Sequence, residues 1–113
     1  MSGSPNFLKG SDTEWRTVDP GVQRKLLTHD GALMLVRVRF EKGGIGPIHS
    51  HPHIQSSFVV SGRFEMTIGS ETRIIEAGDS YIVPSGAPHG VVALEAGELL
   101  DAFTPARADF LPR

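Results

Sequence analysis

An all-β fold, a sandwich or barrel of about eight or nine short strands, is predicted by three observations. Thirteen Gly and eight Pro punctuate a chain of 113 residues. The apolar stretches between them are short and tend to alternate with a period of two. No segment longer than a turn carries helical periodicity, and no internal repeat is visible.

Residues 1–20 are polar and turn-rich; they read as an arm that frays at its start and then packs on the barrel through Phe7, Leu8 and Trp15. The first sustained strand signal is 33–41. There Met34, Val36, Val38 and Phe40 alternate with Leu35, Arg37, Arg39 and Glu41, so one face turns inward. The glycines at 43, 44 and 46 and Pro47 break it. Residues 55–61 read as the next strand. Gly62 turns it into 63–69, where Phe64, Met66 and Ile68 share a face. Shorter strands follow at 72–76, 80–84, 90–95 and 99–104, separated by Ala77-Gly78-Asp79, by Pro84-Ser85-Gly86-Ala87-Pro88 and by Gly97.

Composition bounds the function. The length suits one domain, and 39% apolar with 21% charged residues is an ordinary globular balance. A net charge of -2 without any basic run argues against a nucleic-acid partner. The apolar runs fall far short of the roughly 20 residues of a membrane span. No apolar signal core opens the chain, so a cytoplasmic protein without membrane contact is expected. Cysteine is absent, so disulfides and thiolate ligands are excluded, and any metal must be held by His, Gln, Asp or Glu.

Four of the five histidines lie in two places: His49-Ser50-His51-Pro52-His53, and His89 far downstream. Two His at i and i+2 on a strand project from one face, which suits two ligands of one ion. Gln55 adds a carbonyl oxygen nearby, and a rigid Pro-Ser-Gly-Ala-Pro turn fixes the approach of His89. An HxH pair alone is a weak signal, since single histidines more often serve as hydrogen-bonded residues. Pro52 interrupts the alternation before His53. A role in the outer support of the site, an acid/base role and a surface position all stay open for it. His29, in a His-Asp-Gly turn, reads as solvent-exposed.

Near the C-terminus Leu99, Asp101 and Phe103 alternate with Leu100, Ala102 and Thr104. If the first set faces the interior, an acid has been placed inside, where it is costly unless paired or used. The burial habits of charged residues favour the other reading, a surface Asp101 and Arg107 flanking a core Phe103.

The wider spacing carries more. Gly43-x5-His49-x-His51-x3-Gln55-x6-Gly62 matches the first cupin motif at every spacing, with Gln55 where Glu is usual. Gly78-x5-Pro84-x-Gly86-x2-His89 matches the second, which runs to 93, with Ala93 where Asn is common. The chain therefore resembles a single-domain cupin. The resemblance implies a jelly-roll β-barrel over 21–113 behind the arm, holding one divalent transition metal on His49, His51, Gln55 and His89. Three imidazoles and an amide leave a divalent ion its full charge, which strengthens it as a Lewis acid and as a receptor for anions. Such nitrogen-rich ligation suits Ni, Zn, Fe, Co or Cu and does not choose among them. It departs from the two-His-one-carboxylate set of many iron oxygenases.

Several further segments resemble the KdgF-type cupins of pectin and alginate breakdown: Phe40-Glu41-Lys42-Gly43, Val59-Val60-Ser61-Gly62, Ile75-Glu76-Ala77-Gly78-Asp79-Ser80, Leu94-Glu95-Ala96-Gly97 and Asp101-Ala102-Phe103-Thr104-Pro105-Ala106-Arg107. This resemblance implies conversion of 4,5-unsaturated monouronates, released by polysaccharide lyases, to their linear ketonised form. It assigns Asp101, Phe103 and Arg107 to the reaction, a small anionic sugar acid as substrate, and a homodimeric state. A metal-dependent cupin dioxygenase and a non-catalytic sugar- or metal-binding cupin are the alternatives.

Overall fold

The strands follow the alternation of apolar residues. In β3 (Met34–Phe40) the side chains of Met34, Val36 and Phe40 are buried in turn. The computed structural model describes residues 3–111. It adds two strands that the polar N-terminal patterning conceals, β1 (Arg16–Asp19) and β2 (Val22–His29). β2 pairs with β3 so that Val22 lies opposite Phe40, Arg24 opposite Val38 and Leu26 opposite Val36. The remaining strands are β4 (Ile45–His49), β5 (Ile54–Ile68), β6 (Glu71–Glu76), β7 (Ser80–Val83) and β8 (His89–Thr104). Two three-residue 3-10 turns, Gly10–Asp12 and Ala108–Phe110, complete the chain.

All strand pairs are antiparallel, in the path β1-β2-β3-β8-β5-β6, with β4 added to β8 and β7 to β5. Gly62 and Gly97 were expected to separate strands; instead β5 and β8 run through them for 15 and 16 residues and shift register there. The two glycines lie backbone to backbone. A Cβ on Gly62, whose φ is +85°, would come within 2.6 Å of the Ala96 carbonyl oxygen and the Gly97 Cα. Only glycine allows this φ together with such an approach. The first half of β5 pairs with β7 and with the second half of β8, whereas its second half pairs with β6 and with the first half of β8. Two long shared strands thus pass between both layers of the jelly roll. Between the layers Val59, Phe64 and Val83 are fully buried, and Phe40 meets Phe64 edge to face at 5.3 Å. A second cluster of Met34, Val36, Phe103 and Ala106 closes the core beneath the C-terminal segment.

The arm is anchored differently from the expectation. Phe7 is 95% exposed and anchors nothing, and Leu8 is half-buried. The backbone N–H of Ser4 donates to the His29 carbonyl at 2.9 Å, and Trp15 lies against the Arg39 guanidinium at 3.9 Å. His29 is half-buried rather than free in solvent, its Nδ1 against the Leu27 carbonyl at 3.2 Å. Among the described residues no helix is long and apolar enough to cross a membrane.

Candidate metal centre

β4 and β8 set His49 and His89 directly opposite each other, with ring centroids 4.4 Å apart. His51 lies beyond the end of β4, where Pro52 turns the chain, and its ring comes within 4.7 Å of the His89 ring. The i, i+2 geometry of one strand therefore does not place His51; the bend does. His49 is exposed at the rim, and His51 and His89 are buried below it. One nitrogen from each lies within 4.8 Å of the others, so the three could hold a metal ion.

Backbone carbonyls select the imidazole tautomers. His49 donates from Nδ1 to the Pro47 carbonyl at 2.9 Å, His51 to that of His53 at 3.0 Å, and His89 to that of Ala87 at 2.9 Å. Each Nε2 is left as a bare lone pair. Gln55 is buried and reaches the same point from β5. Ser57 carries one hydroxyl hydrogen, which it gives to Asp101 Oδ1 at 2.5 Å, so it accepts from the Gln55 amide nitrogen at 3.1 Å. That orientation turns Gln55 Oε1 toward His51 Nε2 at 3.1 Å. Two acceptors that close repel unless a cation lies against both. His89 Nε2 is also buried without a partner. Burial, chiefly, pushes the His89 pKa down to about 4 and lowers that of His51, with the charge of Arg107 acting in the same direction on both. Near neutral pH a proton is therefore disfavoured at these nitrogens. The residues fit a divalent metal.

Beside the imidazoles opens a cavity of about 420 Å³, lined by Gln55, Tyr81, Asp101, Phe103 and Arg107. Asp101 is 6% and Arg107 8% exposed, which overturns the surface reading of both. The reason is register. Asp101 lies directly across the ladder from Ser57 and is satisfied by its hydroxyl, and Gln55 lies across from Phe103. Burial pushes the Asp101 carboxyl up to about 6, against the opposing pull of Ser57, Gln55 and the Arg107 charge. Phe103 meets the edge of His51 at 5.7 Å. Arg107 sits 5.2 Å from the Phe103 ring and 4.1 Å from that of Phe110, and donates from Nε and Nη2 to Asp109 at 3.0 and 2.8 Å. His53 is half-buried with its ring 5.5 Å from that of His51, and its carbonyl orients that residue.

The cupin domain model matches residues 36–103. The chain is 45% identical over 107 residues to the pectin degradation protein KdgF of Dickeya dadantii, covering 93% of this chain and 97% of that protein. The chain belongs to the cupins, in the KdgF group. Two solved structures agree in fold. An RmlC-like cupin from Shewanella frigidimarina superposes with a TM-score of 0.94 at 39% identity, covering 98% of this chain and 100% of that one. KdgF from a Halomonas species superposes at 0.89 with 38% identity, covering 96% and 100%.

This cupin also builds its site from residues that the sequence reading passed over. Ser57 shares the inward alternation of Gln55 and Val59, a signal that was available. Tyr81 projects into the cavity from β7, across the ladder from Ser57; burial, chiefly, and the Asp101 charge push its pKa up, so it stays a neutral hydroxyl. Arg24 alternates with Val22 and Leu26, which sets it on the inward face of β2.

Proposed function

We propose that this cupin converts 4,5-unsaturated monouronates to linear ketonised uronates, using one divalent transition metal held by His49, His51, Gln55 and His89. The observation that carries the reading is the buried chain Gln55–Ser57–Asp101, which joins the three-histidine cluster to a carboxyl poised near neutrality in a cavity next to Arg107. The similarity to a pectin degradation protein supports the choice of substrate, and a cytoplasmic setting suits the small products of lyases.

The reaction is an isomerisation. The anomeric hydroxyl loses its proton, the bond from C1 to the ring oxygen breaks, and the electrons of the resulting enolate collect a proton at C4 to leave a ketone at C5. One carboxyl near its pKa can accept the first proton and return it to carbon, and Asp101 takes that role. The Ser57 hydroxyl, held by Gln55, donates to Asp101 and keeps its second oxygen turned to the substrate. Arg107 attracts the substrate carboxylate, and Phe103 packs on the apolar face of the sugar. A bound divalent ion supplies positive charge where negative charge develops on oxygen. The test is loss of the ultraviolet absorbance of the conjugated alkene on mixing the substrate with purified protein, abolished by chelation and restored by added metal. Turnover at the uncatalysed rate in metal-replete protein would refute it.

We also read the chain as a homodimer. Ile54, Phe58 and Val60 on β5 and Ile82 on β7 are each 44–61% exposed, an outward apolar face on adjoining strands that a second copy would cover. Light scattering is expected to give twice the monomer mass for the wild type and the monomer mass for Phe58→Glu. A monomeric wild type at micromolar concentration excludes this state.

A further inference from the structure

We propose that Arg24 is a second anion receptor of the cavity, forming with Arg107 a two-guanidinium clamp for the carboxylate of the sugar acid. The clamp rests on the reading above that the ligand is a uronate. Arg24 occupies an inward position on β2, opposite Val38 and between Val22 and Leu26, where alternation reserves space for apolar side chains. A guanidinium there is costly unless it is paired or used. Among the described residues no carboxylate lies within ion-pair distance of it; Arg107 is bound to Asp109, Arg37 to Glu98 and Arg73 to Glu71.

Its surroundings oppose its charge. Half-burial, chiefly, together with the positive charges of Arg107 and Arg16, lowers its pKa, and Asp109 counters them only partly. An anion in the cavity would relieve this. The side chain is held ready for one, because its Cζ lies 3.7 Å from the centre of the Phe110 ring, on which Arg107 also rests at 4.1 Å. Both guanidiniums line the same cavity as Asp101. The Nε and Nη2 of Arg107 already serve Asp109, which leaves Arg107 less than a full fork for a ligand. Arg24 has no such claim on it, so it supplies the bidentate edge that a carboxylate prefers.

The test separates binding from turnover. Galacturonate, a saturated uronate, and galactose, its uncharged counterpart, are titrated calorimetrically into metal-free and zinc-loaded protein. Arg24→Gln is expected to weaken galacturonate binding by about tenfold or more, as loss of a charge-assisted hydrogen bond predicts. Arg24→Lys should weaken it less, and galactose binding should stay unchanged in both. With the unsaturated uronate, KM should rise by a similar factor while kcat stays within about threefold. A second measurement needs no variant: galacturonate should shift the Arg24 Nε–H resonance of the zinc-loaded wild type. Unchanged galacturonate affinity in a folded Arg24→Gln variant overturns the clamp, as does an unmoved Arg24 resonance at saturation. If galacturonate affinity falls in the variant while the wild type fails to turn over the unsaturated uronate, the clamp stands and the assigned reaction fails.

Discussion

Asp101→Asn is expected to lower kcat by about 10²–10⁴-fold, the range for removing a general acid/base, while raising the melting temperature of the metal-free protein at pH 7.5. Both effects come from one feature. Asp101 is buried, and burial raises its pKa from 3.8 to about 6, so the folded state prefers the protonated form. A raised acid pKa contributes stability below the unfolded value, and that contribution is lost as pH rises from about 4 through 6. At pH 7.5 the carboxylate therefore burdens the fold by on the order of 3 kcal/mol. An amide of the same shape still accepts from Ser57 and carries no charge. The gain in melting temperature should shrink toward zero as the pH is brought to 4. Thermal melts of both metal-free proteins between pH 4 and 8, and metal analysis of the loaded proteins used for the kinetics, check this. Wild-type activity in the variant would remove Asp101 from the proposed chemistry.

His89→Ala is expected to abolish stoichiometric metal binding, and turnover with it. The metal-free variant should melt below the metal-free wild type, but by less than burial alone implies. Truncation gives up packing and the bond to the Ala87 carbonyl, yet it also deletes a buried Nε2 that has no partner, which offsets part of the loss. Added metal should stabilise the wild type by about 2.7 kcal/mol at a hundredfold excess over its Kd and leave the variant unmoved. Mass-spectrometric metal content and paired melts decide the matter. One equivalent of metal retained by the variant would falsify the ligand set.

Much of the site is readable along the chain, because its spacings are local. The glycine, histidine and proline intervals of 43–62 and 78–93 outline two β turns-and-strands, and β3 declares its inward face by strict alternation. What stays hidden depends on partners remote in sequence. Asp101 looks like a surface residue until register sets Ser57 across from it, 44 positions away, and Arg107 does so until the Phe110 ring it rests on is also met by Arg24 from the distant β2. Gly62 and Gly97 signal a change of direction, but a turn and a bend in one continuous strand carry the same residue. The polar residues of β1 and β2 are set by pairing rather than by burial, so their patterning is too weak to mark them. The backbone carbonyls that choose each tautomer leave no trace in the sequence at all.

The long paired strands β5 and β8 have a consequence for how such a site can vary. Gln55 and Ser57 lie on one, His89, Asp101 and Phe103 on the other, and the ladder between them sets their relative heights. A slip of either strand by one residue would turn all of that strand's site residues away from the cavity at once. Lengthening the hairpins at Gly69 or around residues 77–79 would leave those heights untouched. The proposed acid/base group and two of the four proposed ligands therefore share a two-strand cassette, with His49 and His51 brought to it by β4 and the bend that follows, while Arg24 and Arg107, the proposed clamp, lie on β2 and on the segment after β8, outside that ladder.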